Sequence, residues 1–251
     1  MNTLIRAFLF VLLMAISQPV QARELAVDLS QSVVPITASF DGSDLLLFGT
    51  ADPDADIVVI VRGPMRDELV RRKERVFGVW ANGAQMTFKD VSSYYFMASN
   101  RPMEEFVSPE IARQRQIGYD QMILTPKSES ELAGLDEQAI AAFHDALIRV
   151  KQSQGLYGRK NGDVHFIGDR LFRTELEFPN NIPVGSYSVD VFVFRDGRIA
   201  DEKTTILDVQ KIGVEAEIFS FAHRHSLSYG VLAILLASMA GWLASVIFRK
   251  G

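Results

Sequence analysis

The chain has 251 residues, with 26 lysines and arginines against 31 aspartates and glutamates, so its formal net charge is −5. That balance gives no reason to expect nucleic-acid binding. The absence of cysteine excludes disulfides, thiolate metal sites and cysteine nucleophiles, so the fold must be held by its apolar core, which a chain of this size can supply.

The N-terminal segment is predicted to be a secretory signal. Arg6 precedes the apolar run Ala7–Ile16, and the small residue Ala22 is followed by Arg23. The run is too short to span a bilayer but suits the apolar core of a signal peptide, and Ala22 suits cleavage. Residues 1–22 are therefore assigned to the signal peptide, with an uncleaved first anchor as the alternative.

Residues 23–107 are predicted to form a β-sandwich region. Short runs rich in β-branched and aromatic residues are separated by turn residues such as Asn82-Gly83, at the spacing of an immunoglobulin-like sandwich. The runs are Glu24–Leu29, Val34–Phe40, Leu45–Thr50, Ile57–Arg62, Arg75–Trp80, Gln85–Val91 and Tyr94–Ser99. The stretch Ile57–Val61 is apolar on both faces, which favours a central strand.

The segment from Arg62 to Arg75, predicted to be a loop between strands, concentrates basic residues in an acidic protein. Guanidinium groups present planar donor forks that match sulfate, phosphate or carboxylate oxygens. The segment is therefore the candidate anion- or partner-binding surface, and the alternative is a solvated surface with local ion pairs. Its candidate residues are Arg62, Arg66, Arg71, Arg72, Lys73 and Arg75.

Residues 108–160 are predicted to be a helical insertion. Ser108 before a proline is a typical helix cap, and Ser128 with Glu131 fits a capping box. A longer helix is expected over Asp136–Gln154. Its predicted buried stripe consists of Ile140, Phe143, Leu147 and Val150.

Strand character returns over residues 161–215, which are predicted to complete or adjoin the sandwich. Leu171–Phe178 alternates, and the segment Pro183–Val189 has the Gly-x-Tyr spacing of a tyrosine corner at Tyr187. Asp196-Gly197 is a hairpin signal. We expect one mainly β, immunoglobulin-like ectodomain with a helical insertion, and two adjacent modules are the alternative.

The C-terminal stretch Tyr229–Phe248 is uncharged and mostly apolar. As a helix it is about 30 Å long, the thickness of the hydrocarbon core of a bilayer. We therefore expect a juxtamembrane segment at 216–228, one transmembrane helix at 229–248 and a cytoplasmic tail at 249–251. With the signal peptide, this predicts a single-pass inner-membrane protein with a periplasmic N-terminal domain. Arg249 and Lys250 on the cytoplasmic side agree with the positive-inside rule.

Small residues recur at every fourth position of this helix, at Ala233, Ala237 and Gly241. That spacing lets a neighbouring helix approach closely in lipid. The stripe is predicted to be a packing surface, and the alternative is that small residues are simply common in such helices.

Motifs that would indicate catalysis or a cofactor are lacking in the sequence. The four histidines, His144, His165, His223 and His225, do not have zinc-type spacing. The sequence contains neither a phosphate-binding loop nor a Gly-x-Ser-x-Gly elbow. We therefore expect a protein without catalytic residues, metal or cofactor.

Several stretches together resemble one protein family, described as putative transmembrane proteins of alphaproteobacteria. They are Gly63-Pro64, Val70-Arg71-Arg72-Lys73, Gly78-Val79-Trp80, Tyr94-Tyr95, Ser99-Asn100-Arg101-Pro102, Pro183-Val184-Gly185-Ser186-Tyr187, Lys211-Ile212-Gly213, Tyr229-Gly230 and Gly241-Trp242. The resemblance implies a single-pass inner-membrane protein without an assigned activity, with members often encoded near permeases that resemble sulfite exporters. It implies no ligand or catalytic residues.

The leading hypothesis is a non-enzymatic accessory or partner-binding subunit of a membrane transporter, such as an anion or sulfite exporter-type permease. Its expected partners are the lipid bilayer and a polytopic membrane protein, or a second copy bound through the transmembrane helix. The rival hypothesis is a periplasmic, membrane-anchored enzyme or sensor acting on an anionic ligand. A deep pocket lined by carboxylates would favour that rival, whereas a basic face would favour binding.

Overall fold

The computed structural model describes residues 25–76, 78–132, 135–213 and 222–248. This part of the chain is mainly β, with three sheets and a long C-terminal helix, so the predicted fold class is confirmed at that level. The predicted signal peptide, the predicted cytoplasmic tail and residues 216–221 of the predicted juxtamembrane segment lie outside the described residues.

The first sheet is antiparallel and has the strand order β1-β3-β11-β10. Strand β11 pairs with β3 along its whole length, from Leu171 opposite Thr50 to Pro179 opposite Gly42. Strand β10 pairs only with the first part of β11. The strands are β1 (Ala26–Leu29), β3 (Gly42–Thr50), β10 (His165–Ile167) and β11 (Leu171–Pro179).

The second sheet has the order β2-β13-β12-β4-β7-β9. Strand β4 lies between β12 and β7, and each residue of Ile57–Val61 has an exposed fraction of 0%. The apolar run is therefore a central strand, as predicted. The strands are β2 (Val33–Ile36), β4 (Asp56–Arg62), β7 (Tyr95–Ser99), β9 (Gly162–Asp163), β12 (Gly185–Arg195) and β13 (Arg198–Lys211).

Both sheets combine strands from the two ends of the β-rich part of the chain. Strand β3 pairs with β11 and β4 pairs with β12, so each sheet joins strands that precede the helical segment to strands that follow it. The inner faces of the two sheets share one apolar core, to which Leu47, Val59, Leu176 and Val189 contribute fully buried side chains.

The third sheet is a long β-hairpin with a short third strand. It consists of β5 (Met65–Val76), β6 (Val79–Ser92) and β8 (Thr125–Pro126). The prediction of a loop over Arg62–Arg75 is therefore wrong. The predicted turn at Asn82-Gly83 is also wrong, because both residues lie within β6 and the chain reverses between Val76 and Val79. Charged residues are compatible with an edge strand exposed to water, and that is the position of β5.

Two helices lie in the predicted helical segment. Helix α1 (Pro109–Arg115) is capped by Ser108, whose Oγ accepts a hydrogen bond from the Ile111 N–H at 3.3 Å. Helix α2 (Glu137–Ser153) is capped by Asp136. Glu131 does not complete a capping box with Ser128; its carboxylate accepts hydrogen bonds from the backbone N–H and the hydroxyl of Thr87.

Helix α2 packs against the hairpin and forms a second apolar core. Phe143 and Leu147 are buried there as predicted, but the exposed fraction of Val150 is 47%, so its predicted burial is wrong. Lys151 is buried in its place, because its ammonium group pairs with Glu68 of β5. The apolar members of this second core are Val70, Met86, Phe88, Val91, Phe143 and Leu147.

Two local predictions in the last β region are confirmed. The Tyr187 hydroxyl donates a hydrogen bond to the Pro183 carbonyl, which is the contact of a tyrosine corner. Asp196 and Gly197 have φ angles of 51° and 71°, as a two-residue hairpin turn between β12 and β13 requires.

Helix α3 (Ser226–Phe248) contains the stretch Ser226–Ser245, which has a mean hydropathy of 1.8 and is not buried in the protein. By length and composition it can cross a membrane. It extends the predicted transmembrane segment by three residues at its start, from Tyr229 to Ser226.

Candidate functional site

Three of the predicted basic residues form a row on β5. Both register shifts in the hairpin place the extra residue on β6, so β5 alternates regularly. Arg71, Lys73 and Arg75 therefore point to the same face, about 7 Å from one to the next. We call these three residues the basic row.

The basic row lies on the face of the hairpin opposite α2, and its side chains are exposed. Arg71 donates from Nε to Oε1 of Gln85, and Arg75 donates from Nε to the Gly78 carbonyl, both at 3.3 Å. A guanidinium has five N–H donors, so each arginine keeps several for a partner. Leu69 on the same face has an exposed fraction of 46%. The face thus combines cationic and apolar contacts.

The other predicted basic residues lie elsewhere. Arg72 points to the opposite side of β5. Arg66 donates to the Val184 carbonyl at 3.1 Å. Arg62 belongs to β4, where it pairs with Asp190 and donates to the Arg115 carbonyl at 2.6 Å. The structure therefore does not bring all six predicted residues together, and Arg62 holds α1 to the second sheet.

Polar contacts fix β5 to the chain that follows β8 and to α2. The Lys127 ammonium bonds to the Asp67 carboxylate at 2.6 Å. This hydrogen bond lowers the pKa of Asp67 and raises that of Lys127. Together with the pair between Lys151 and Glu68, it holds the base of the hairpin while the basic row stays exposed.

A second candidate site was not found from the sequence. It is an open cleft of about 1150 Å³ beside β11, between the first sheet and the segment that leads from α2 to β9. Its floor includes the buried rings of Tyr94, Phe96 and Phe178, of which Tyr94 and Phe178 stack with centroids 5.4 Å apart. Burial raises the pKa of the Tyr94 phenol, which donates a hydrogen bond to the Glu177 carbonyl.

Charged side chains surround the mouth of the cleft. On the first sheet Arg173 lies opposite His165, and four residues further along β11 Glu177 lies opposite Asp44. On the first sheet, one end of the cleft is therefore basic and the other acidic, about 13 Å apart along the strand. Arg159 and Lys160 line the cleft from the facing segment. None of the four side chains on the first sheet forms an ion pair with another residue of the described part of the chain.

The alternation of Leu171–Phe178 was the only sequence signal that pointed toward this cleft. It identifies Arg173, Glu175 and Glu177 as the exposed positions of one strand. It does not reveal that they line one cleft with residues as distant as Asp41 and Lys160. Within the ranges that the structure describes, no group of three or more histidine, aspartate or glutamate side chains is placed to hold a metal ion.

Ala233, Ala237 and Gly241 lie on one face of α3 and are exposed. Apart from its chain neighbours and the backbone of its own helix, a Cβ atom added at Gly241 would meet no atom within 4 Å, leaving room for a neighbouring helix. That this face packs against another helix stays a prediction.

The fold and these surfaces define a mainly β protein that carries one helix able to cross a membrane. The chain belongs to the family described as putative transmembrane protein (Alph_Pro_TM), which it matches over residues 24–250. No curated protein matches the chain. Family and helix together place the protein at a membrane.

Proposed function

We propose that this protein is a non-enzymatic accessory subunit of a membrane transporter, an anion or sulfite exporter-type permease. In this proposal the β-rich domain is periplasmic, α3 crosses the inner membrane once, and the basic row binds an acidic surface of the partner. The observation that carries the proposal is the basic row itself, displayed on a supported hairpin that projects its charges into solvent.

Physical chemistry favours binding at such a row. Arginine side chains are enriched at protein interfaces, and planar guanidinium forks match carboxylates or oxyanions. The adjacent exposed side chains of Met65 and Leu69, with exposed fractions of 57% and 46%, add apolar area that a partner would cover. Because the three basic residues lie on one face of one strand, their charges have a fixed spacing that a partner can match.

Reversing the charge of the basic row should abolish capture of the partner. The test is gentle detergent extraction of the tagged full-length protein, affinity capture and identification of the co-purified proteins. We expect a polytopic permease with the wild type, and its recovery should fall about tenfold or more with Arg71→Glu, Lys73→Glu and Arg75→Glu combined, because attraction becomes repulsion at a desolvated contact.

The matched control reverses three exposed basic residues outside the row, Lys89, Arg113 and Arg149, and should leave capture unchanged. Recovery of the isolated chain alone, or equal loss in both variants, would contradict the proposal. A reporter fused after Gly251 tests the proposed topology separately: activity on the periplasmic side would overturn it.

Bulky residues on the small face of α3 should weaken contacts in the membrane. Ala237→Leu with Gly241→Leu removes the close approach that small residues permit, and we expect several-fold less co-purified partner or dimer in mild detergent. Ser228→Leu adds similar bulk on the opposite face and is the control. Unchanged recovery in both variants would contradict helix packing through this face and would leave α3 with an anchoring role alone.

A second function, a membrane-anchored enzyme or sensor for an anionic ligand, is favoured by one observation. The cleft beside β11 is lined by both carboxylates and bases, among them Asp163, Glu175, His165 and Arg173. Saturable thermal stabilisation of the full-length protein by sulfate, sulfite or phosphate, lost in Arg173→Gln, would support this function. If the protein is only an accessory subunit, these ligands should give no thermal stabilisation that depends on Arg173.

A further inference from the structure

Strand β11 has an open edge inside the cleft. Its pairing with β10 ends at Arg173, and from Thr174 to Pro179 the side away from β3 pairs with no other strand of the described part. The first sheet thus lacks a strand at this position. Unpaired edges of this kind are where extended peptides add to a sheet.

The backbone direction along this edge can be assigned. The Glu177 carbonyl accepts the hydrogen bond from Tyr94, which lies on the cleft side. In a β-strand the N–H and C=O of one residue point to the same side, and every second residue repeats that direction. The backbone groups of Glu175 therefore also point into the cleft, and the Glu177 carbonyl retains a second lone pair.

The side chains next to this edge are acidic. Glu175 and Glu177 are exposed on the outer face of the sheet, about 7 Å apart, and Asp44 lies opposite Glu177 on β3. None of the three forms an ion pair with another residue in the described ranges. A strand added here would place its outward residues directly beside these carboxylates, and opposite charges in such cross-strand positions stabilise pairing.

We propose that the cleft binds an extended segment of a partner protein that carries lysine or arginine at every second residue. The segment adds to the first sheet as a strand alongside Thr174–Pro179. Its basic side chains lie beside Glu175 and Glu177, and its alternate side chains face the aromatic floor at Tyr94 and Phe96. This surface is separate from the basic row, and the inference goes beyond the proposed function.

The basic end of the cleft fixes the register. Arg173 lies two residues before Glu175 on β11, opposite His165 of β10, and at this position β10 already pairs with the edge of β11. A basic residue of the segment placed there would meet a like charge, which disfavours a shift of the added strand by two residues. The cleft therefore selects a short segment with two basic positions.

Binding of a synthetic peptide to the full-length protein in detergent micelles tests the proposal. The probe is a capped, fluorescent Thr-Lys-Val-Lys-Val-Thr, and the control peptide carries glutamate in place of lysine. We expect saturable binding of the basic peptide alone, weakened about tenfold or more by Glu175→Lys combined with Glu177→Lys. Reversal of two exposed acids elsewhere, Glu129→Lys and Glu137→Lys, should leave binding unchanged.

A peptide methylated on the backbone nitrogens of its two lysines and its second valine separates strand addition from charge attraction. Loss of binding on methylation supports pairing with β11, and equal binding overturns it. Hydrolysis of the peptide would make the cleft catalytic and overturn a docking role. A third outcome is that the wild type binds no peptide but forms an oligomer, and that this oligomer dissociates in the Glu175→Lys, Glu177→Lys variant. The occupant of the cleft would then be a second copy of the chain, which would overturn binding of a partner protein. Each result is independent of permease capture through the basic row.

Discussion

Replacing Phe143 with alanine is expected to destabilise the unit formed by β5, β6 and α2 by about 3–5 kcal/mol. The Phe143 side chain has an exposed fraction of 4% and lies in the second core, between the helix and the hairpin. Truncation removes its buried area and leaves a cavity. Because this core is separate from the one between the two larger sheets, the loss of stability should be largest in the hairpin.

Hydrogen exchange on the full-length protein in micelles measures this effect locally. Amides of β5 and β6 should lose protection in the Phe143→Ala variant while those of β4 keep theirs. Val150→Ala is the matched control on the same helix, because Val150 is largely exposed, and it should change protection little. Equal loss in β4 and β5 would show that the two cores unfold as one unit.

Alkaline pH is expected to destabilise the protein steeply above about pH 10. Burial raises the pKa of five phenols, those of Tyr94, Tyr95, Tyr119, Tyr157 and Tyr187. In the unfolded chain these groups ionise near their ordinary pKa of about 10, whereas in the folded protein they stay neutral. Their stabilisation is thus fully present below pH 10 and is lost as the pH rises.

The size of this effect follows from linkage. Each phenol that ionises only in the unfolded state removes about 1.4 kcal/mol of stability per pH unit, so five remove about 7 kcal/mol per unit. Denaturant titrations at successive pH values should give that slope, with phenolate absorbance appearing together with unfolding. Tyr95→Phe removes one of these five ionisable groups and should reduce the slope by about a fifth. Phenolate formation at pH 10 in a protein that stays folded would contradict the prediction.

Local patterns predicted much of the β structure. The continuous apolar run Ile57–Val61 identified the central strand, since both of its faces are covered. The strict alternation of Leu171–Phe178 identified β11, and Tyr187 and Asp196-Gly197 identified a corner and a turn. The turn and the corner depend on contacts between residues close in sequence, and the two strands depend on which of their own residues are apolar. Both kinds of information are visible in a short stretch of sequence.

The hairpin was missed because its strands lack that local signal. In β5 charged residues occupy both faces: the outer face meets water, and on the inner face Glu68 is compensated by Lys151 from α2. The extra residues at the two bulges of β6 interrupt its alternation, and the Asn82-Gly83 pair at one of them has the composition of a turn. A distant helix therefore decides that the segment forms strands.

The sequence by itself determined the mainly β class, the central strand and the apolar helix near the C-terminus. The pattern of apolar residues predicts which strand faces are buried, and the length of an apolar stretch predicts whether a helix can span a bilayer. Only the tertiary structure decided which basic residues share a face and that Glu175, Glu177 and Asp44 meet at an open strand edge. The physical reason is that strand register and helix packing bring together residues more than 80 positions apart, such as Glu68 and Lys151, and the order of residues along the chain does not encode those contacts locally.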